Sequence, residues 1–88
     1  MDNEVTGDSS VMDIRRIQAI YRLNNSASGN PRYAIAFSDG ESYISMSDAS
    51  FCYAVGNPGM RVGDVVSVEF TRAGRIRYMK PYIEENWR

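Results

Sequence analysis

The stretch RYAIAFSDGESYISMS, residues 32–47, decides the fold class of this chain. Two runs of alternating apolar and polar residues flank the dipeptide Asp39-Gly40, which favours a two-residue type I′ turn. The pairs that this turn predicts are Phe37–Ser42 and Ile35–Ile44. The inward face then holds Tyr33, Ile35, Phe37, Ser42, Ile44 and Met46, and the outward face Arg32, Ala34, Ala36, Ser38, Glu41, Tyr43 and Ser45. The stretch therefore predicts an antiparallel β-hairpin with one mainly apolar face.

Residues 64–80, DVVSVEFTRAGRIRYMK, predict a second hairpin. A two-residue loop would mix its faces, because it would set an arginine opposite an inward phenylalanine. A three-residue loop at 72–74, with Gly74 in the left-handed region as a bulge, keeps the apolar residues on one face. The pairs that it predicts are Phe70–Ile76 and Val68–Tyr78 inside, and Glu69–Arg77 outside. Pro81 ends this strand.

Three other segments complete the order of elements. Residues 13–23 alternate and predict a first strand, although part of their spacing also fits a helix. Residues 24–31, NNSASGNP, are a loop by composition. Residues 47–56 predict a helix of two to three turns, with Ser47 as its N-cap and Gly56 just after its end.

The resulting order, β-β-β-α-β-β, predicts a small five-stranded antiparallel barrel with one short helix. A helix between the third and fourth strands is typical of the OB fold. An SH3-like barrel, or a helix packed on one antiparallel sheet, remains an alternative. The barrel domain is predicted to span residues 12–83, between a flexible acidic tail at 1–11 and a C-terminal tail at 84–88.

Composition excludes several kinds of chemistry. The chain has 88 residues, one cysteine and no histidine, so an internal disulfide, a histidine-based triad and a Cys/His zinc site cannot form. No apolar run approaches the roughly 20 residues that a membrane-spanning helix needs. We expect a soluble cytoplasmic protein that is not an enzyme, holds no metal or cofactor, and does not enter a membrane.

Cys52 and the glycine-rich loop after it are the most conspicuous part of the sequence. A phosphate-binding loop needs Gly-Lys-Ser/Thr at the start of a helix, whereas these glycines follow the predicted helix. A cysteine without a nearby base is usually a small buried apolar residue. We therefore expect Phe51, Ala54 and Val55 to face the core and Cys52 to fill space there.

The charge is unevenly distributed along the chain. Residues 1–13 carry four acids and no base, and residues 14–83 carry nine bases against five acids. In an OB-like barrel, ligands meet the outer face of strands two and three and the adjoining loops. Arginines for phosphates and a tyrosine for stacking are the chemistry of single-stranded nucleic-acid binding. The candidate residues for this function are Arg32, Tyr43, Arg72, Arg75 and Arg77.

The leading expectation is nevertheless a protein–protein module or a homo-oligomer, with nucleic-acid binding as the alternative. Small antiparallel barrels have exposed edges that accept a partner strand. Tyr43 beside Ala34 and Ala36 would form a flat patch, and Trp87 in the C-terminal tail could dock onto another chain. The expected partner is a host or phage protein, or a second copy of this chain.

Three blocks of sequence carry a resemblance to a known group of proteins. They are GNPRY before the second strand, SDA-F-YAVGNPG around the helix, and TRAGRI at the last turn. Over residues 14–81 the chain resembles short uncharacterised proteins of actinobacteriophages and their hosts. The resemblance implies a phage- or prophage-associated protein in the cytoplasm of a bacterial host cell, and it implies no activity, ligand or site residue.

Overall fold

The computed structural model describes residues 11–83, which form five β-strands and one short 3₁₀ helix. The strands are β1 (Val11–Leu23), β2 (Arg32–Phe37), β3 (Ser42–Ile44), β4 (Val65–Phe70) and β5 (Ile76–Pro81), and the 3₁₀ helix is Ser50–Ala54. The mainly-β class and the order of the elements are confirmed. The predicted tails lie outside the described residues, except for Val11, with which β1 begins.

All five strands belong to one sheet in the order β3-β2-β1-β4-β5, and all neighbours are antiparallel. β1 pairs with β4 through residues 11–16 and with β2 through residues 17–23. A bulge between Ile17 and Ala19 separates the two halves, and bulges increase the bend and twist of a strand. The long first strand therefore belongs to both halves of the sheet.

The chain just after β3 meets β5, the other edge strand, at a single point. Ser45 forms a parallel bridge with Ile76, and the Met46 N–H donates to the Ile76 carbonyl over 2.8 Å. The sheet thus bends round until its two ends touch, without the continuous ladder of a closed barrel.

The core lies between the two halves of the sheet, under the 3₁₀ helix. Phe51 and Cys52 are buried there, and Ala54 and Val55 pack against the same cluster, so the predicted role of this segment is confirmed. The buried apolar residues are Ile17, Ile35, Phe37, Ala49, Phe51, Cys52, Met60, Val66, Val68, Phe70, Ile76 and Met79.

The register of the β2–β3 hairpin differs by one residue from the predicted one. The structure pairs Ile35 with Tyr43 and Ala34 with Ile44, through a three-residue loop that ends at Gly40 (φ 93°). The predicted pairs Phe37–Ser42 and Ile35–Ile44 are wrong. A slip of one residue exchanges the two faces of a strand, so β3 presents the opposite set of side chains from the expected one.

The slip turns Tyr43 inward, and it also reverses its two neighbours. Ile44, predicted to face inward, is 39% exposed, whereas Ser45, predicted to face outward, is fully buried. The ring of Tyr43 lies 4.6 Å from that of Phe70 and 6.1 Å from that of Phe37. These contacts come from other strands, so the alternation within the hairpin could not reveal them.

The β4–β5 hairpin has the predicted loop and only part of the predicted register. Phe70 pairs with Ile76, and Gly74 has a positive φ of 87°, as expected. A register shift after Glu69 then pairs Val68 with Met79, so Met79 is buried and Tyr78 is exposed. The predicted inward position of Tyr78 is wrong, because the bulge consumes one residue of β5.

The predicted α-helix of two to three turns is a five-residue 3₁₀ helix that begins at Ser50. Ser47 does not cap it, and no side chain bonds to its first turn. Asp48 has a φ of 61°, which is incompatible with a helix. Its carboxylate instead binds the loop at residues 24–31, as described below, and this holds the segment out of helical conformation.

Candidate functional site

The outer face of β1, β2 and β3 carries a flat apolar surface, which we call the platform. Tyr21 pairs with Ala34, and Ala34 pairs with Ile44, so these three side chains form a row across the strands. Tyr21 is 56% exposed. The small side chains in the middle keep the surface low between the tyrosine and the isoleucine. The platform consists of Ala19, Tyr21, Ala34, Ala36, Ser42 and Ile44.

The turn between β4 and β5 borders the platform beyond β3. Ile44 and Arg75 immediately precede the two bridged residues Ser45 and Ile76, which are both fully buried. Ile44 and Arg75 are both exposed, and alternation of side chains sets them on the outer surface of the two segments that the bridge joins. The turn is held by three hydrogen bonds: the Thr71 N–H donates to the Arg75 carbonyl, the Gly74 N–H to the Thr71 carbonyl, and the Arg75 N–H to the Thr71 Oγ1.

Two further arginines lie at the opposite end, where β1 leads through residues 24–31 into β2. Arg32 is half-buried and donates to the Asn24 carbonyl over 3.2 Å. Arg22 donates to the Asn25 Oδ1 over 2.6 Å, and its guanidinium lies 5.5 Å from the centre of the Tyr33 ring. Arg32 therefore borders the platform on the outer face, whereas Arg22 pairs with the inward Tyr33 and lies on the other face.

A polar cluster fixes the loop at residues 24–31 against the chain before the 3₁₀ helix. The Asp48 carboxylate accepts hydrogen bonds from the Ser26 hydroxyl (2.6 Å) and the Asn30 amide (2.8 Å), and the Tyr53 hydroxyl donates to the Asn30 Oδ1. The two bonds to Asp48 hold the pKa of this carboxyl below its usual value. The partners are far apart in the sequence, so no local pattern indicated them.

Inside the sheet, Arg15 is held by three aromatic rings and two carboxylates, a cluster that we call the Arg15 cage. Its guanidinium carbon lies 5.5 Å from the ring centre of Phe37, 5.2 Å from that of Tyr43 and 5.1 Å from that of Phe70. Its Nη2 and Nη1 atoms each lie 2.9 Å from a carboxylate oxygen, of Asp13 and Asp39 respectively. These internal contacts occupy the guanidinium, so it is not available to a ligand.

The cage keeps Arg15 charged. Burial is the largest single influence on its pKa and lowers it, but Asp13, Tyr43 and Asp39 together outweigh that effect and raise the pKa. The Tyr43 hydroxyl lies 3.5 Å from Nη1. An arginine in this position was missed by the sequence analysis, because its partners come from β2, β3, β4 and the β2–β3 loop.

The residues predicted to form a site are only partly brought together. Ala34 and Ala36 lie on the platform, and Arg32 lies beside it. Arg72 and Arg75 are exposed in the β4–β5 turn, and the exposed Arg77 lies 4.0 Å from the Glu69 carboxylate. Tyr43 is wrong as an outward site residue, since it faces the core, and Trp87 lies outside the described residues.

Tyr21 and Ile44 take the exposed position that had been expected of Tyr43. Tyr21 was not predictable, because a bulge in β1 reverses the alternation after Ile17, so that Ile20 packs against the core and Tyr21 faces out. Ile44 was not predictable because of the one-residue slip of β3. Local alternation carries no signal for either event.

Cys52 has the environment of a structural residue. It is buried in the core, and this burial raises the pKa of its thiol, although a hydrogen bond with Ser45 acts in the opposite direction. A raised pKa keeps the thiol protonated and weakens it as a nucleophile. Within residues 11–83, no three His, Cys, Asp or Glu side chains are grouped so that they could hold a metal ion.

A second exposed apolar surface lies on the outer face of β1, β4 and β5, and we call it the rear face. Met12, Glu69 and Tyr78 form one row across the strands, and Ile14, Ser67 and Lys80 form the next. A cleft of about 390 Å³ lies over the second row. It is lined by Ile14, Ser67, Lys80, Pro81, Tyr82 and Ile83.

Comparisons with protein-family models, with curated proteins and with solved structures gave no match. Among the described residues, no helix is long and apolar enough to cross a membrane. The platform and the rear face are therefore the two candidate functional surfaces.

Proposed function

We propose that this domain is a non-enzymatic, OB-like module that binds single-stranded nucleic acid on the platform. The observation that carries the proposal is the row Tyr21–Ala34–Ile44, which Arg75 extends beyond β3. It sets one exposed aromatic ring, a flat apolar surface and a guanidinium in line. Aromatic stacking combined with basic groups along the backbone path is how single strands are bound without a strong sequence preference.

The order of the strands supports the OB-like part of the proposal. In an OB fold, the first strand pairs with both the second and the fourth, and ligands meet the face of strands two and three between the β1–β2 and β4–β5 loops. Here β1 pairs with β2 and β4, and β3 approaches β5 at the Ser45–Ile76 bridge. The platform has the corresponding position, with one of those loops at each end.

The dimensions suit a short segment of a single strand. Neighbouring strands lie about 4.8 Å apart, so Tyr21 and Ile44 on β1 and β3 are roughly 10 Å from each other across the sheet. A base stacked on Tyr21 would leave the next bases over Ala34 and Ile44, with phosphates towards Arg32 and Arg75. The alanines permit close approach because they do not project from the surface.

The test is fluorescence anisotropy with a labelled oligonucleotide over a series of salt concentrations. Tyr21→Ala is expected to weaken binding by about 1–3 kcal/mol, the usual contribution of one stacked base. Arg75→Ala is expected to reduce the magnitude of the salt slope by about 0.7, the value for one phosphate contact on a single strand.

The matched controls lie on the rear face. Tyr82→Ala removes a tyrosine that is about as exposed as Tyr21, and Lys80→Ala removes an exposed cation. Neither substitution should change affinity or salt slope. Lack of binding by the wild-type domain at low salt, or an equal loss in Tyr21→Ala and Tyr82→Ala, would contradict the proposal.

A protein–protein function remains the second candidate, because of the rear face. Met12, Ile14, Tyr78 and Tyr82 all lie exposed there, and contiguous apolar surface of this kind often marks a protein interface. Light scattering would reveal self-association, and Ile14→Lys should abolish it. A monomer at all concentrations, with no protein captured from a bacterial lysate, would count against this function.

A further inference from the structure

We infer that Arg15 is a positioning residue that selects the register of the β2–β3 hairpin, and so decides whether Ile44 or Tyr43 stands on the platform. The inference about the register depends only on the fold. Its consequence for ligand binding rests on the proposed function.

The hairpin sequence is compatible with two registers. In the observed one, the loop of residues 38–40 directs Tyr43 inward and Ile44 outward. In the other register, β3 slips by one residue against an unchanged β2, so that Ile44 lies opposite Ile35 and joins the core while Tyr43 faces outward. Both arrangements leave β2 unchanged and bury an apolar side chain of β3, so the local sequence does not choose strongly between them.

The Arg15 cage distinguishes the two registers, as does the buried Ser45, whose hydroxyl accepts from the Tyr33 N–H. Tyr43 provides one of its three rings and also places its hydroxyl 3.5 Å from the guanidinium, while Asp39, in the hairpin loop, provides one of its two carboxylates. A slip of one residue would turn Tyr43 to the other face. The largely buried guanidinium would then keep its ion pair with Asp13 but lose a ring and a hydrogen-bond partner, and the loss of a partner by a buried polar group is unfavourable.

Residues of three other strands form the cage together with Tyr43 of β3. The cage can therefore fix the position of this short edge strand. Arg15 and Asp13 lie on β1, Phe37 ends β2 and Phe70 ends β4. All of these residues can keep their positions while β3 moves. They form a fixed socket, which Tyr43 fills in only one of the two registers.

Nuclear magnetic resonance distinguishes the registers directly. In antiparallel pairs, the Hα atoms approach closely only at non-hydrogen-bonded positions. The hydrogen bonds from the Phe37 N–H to the Glu41 carbonyl and from the Ser45 N–H to the Tyr33 carbonyl fix those positions. The observed register gives Hα–Hα contacts at Ala34–Ile44 and Ala36–Ser42. With β2 still paired to β1, the alternative register gives them at Ala34–Ser45 and Ala36–Tyr43.

The decisive variant is Arg15→Met, which keeps an unbranched side chain among the rings and removes the charge. We expect the Ala36–Tyr43 contact to appear and the Ala34–Ile44 contact to weaken. Arg16→Met, at the neighbouring exposed position on the other face, should keep the wild-type contacts. Unchanged contacts in Arg15→Met would overturn the inference, as would a shift in Ser45→Ala without one in Arg15→Met.

A second variant keeps the inference testable if Arg15→Met does not fold. Asp39→Asn removes one ion pair of the cage at an exposed position and keeps the turn preference of the loop, because Asn-Gly is also a favoured turn dipeptide. It should also produce the Ala36–Tyr43 contact, and retention of the wild-type contacts alone would overturn the inference.

Oligonucleotide affinity separates this inference from the proposed function. A variant in the alternative register presents Tyr43 beside Tyr21 and should bind about fivefold tighter, the lower end of the gain from one stacked base. A register that shifts without any change in affinity would support the role of Arg15 and contradict the platform as the binding surface.

Discussion

Gly59 lies at the point where the loop before β4 passes against the end of β5. Its φ is 90°, and a Cβ on this residue would lie 2.7 Å from the Cγ and 2.9 Å from the Cβ of Pro81. Any side chain at this position would therefore destabilise the fold in two ways, through the left-handed backbone and through the contact with the rigid proline ring. Gly29 has nearly the same φ, but no described atom lies within 4 Å of its Cβ position.

We expect Gly59→Ala to lower the free energy of unfolding by about 2–4 kcal/mol, from the conformational penalty and overpacking together. Gly29→Ala should lose only about 1–2 kcal/mol, from the conformational penalty alone. Urea titrations followed by circular dichroism would measure both. Equal losses in the two variants would mean that the contact with Pro81 has no energetic effect.

Single residues were predictable where their environment was local. Cys52 was recognised as a core residue because nothing near it in the sequence could activate a thiol, and its burial is confirmed. Arg15 could not be recognised, because the three rings and one of the carboxylates around it are at least 22 residues away in the sequence. The residues that define the candidate site likewise could not be recognised from their neighbours in the sequence.

Among the elements, the 3₁₀ helix stabilises the fold through one side chain above all. Phe51 is 2% exposed and belongs to the central core cluster. Removal of a buried phenylalanine side chain costs about 3–5 kcal/mol, which is a large share of the roughly 5–15 kcal/mol that stabilises a small domain. Phe51→Ala should therefore leave the domain largely unfolded near 37 °C.

Two substitutions in the same helix provide controls. Ser50→Ala changes an exposed residue and should leave the melting temperature nearly unchanged. Cys52→Ser should still fold and keep its ligand affinity, because its hydroxyl can maintain the hydrogen bond with Ser45. Thermal unfolding monitored by circular dichroism distinguishes the three variants, and a cooperative Phe51→Ala transition at the wild-type temperature would refute the assignment.

The hairpins show how far local sequence determines an element. Asp39-Gly40 and Gly74 correctly located both turns, because the left-handed conformation at a turn strongly favours glycine. The register was predictable only for the first pair of the β4–β5 hairpin. It failed beyond the bulge in β5 and throughout β3, where contacts with other strands outweigh turn preference. The face that a ligand would meet depends on those registers.

On the scale of the whole molecule, the order of elements was sufficient to predict a small mainly-β domain with five antiparallel strands. The predicted barrel is not confirmed, because the ends of the sheet meet only at the bridge between residues 45 and 76, and a contact this distant in sequence leaves no local pattern. The association with phages and bacterial hosts stays a prediction. The most informative property of the whole fold is therefore how firmly its two ends are joined.

Amide hydrogen exchange at Met46 measures that closure. Its N–H donates to the Ile76 carbonyl across the junction, whereas the neighbouring Ser45 N–H donates to Tyr33 within the β2–β3 hairpin. Ser45 and Ile76 are both fully buried, so we expect the junction to open only when the whole domain unfolds. The two amides should then exchange with the same opening free energy and the same dependence on denaturant. Faster exchange at Met46 that is insensitive to denaturant would show local opening of the junction, which separates Arg75 from the platform.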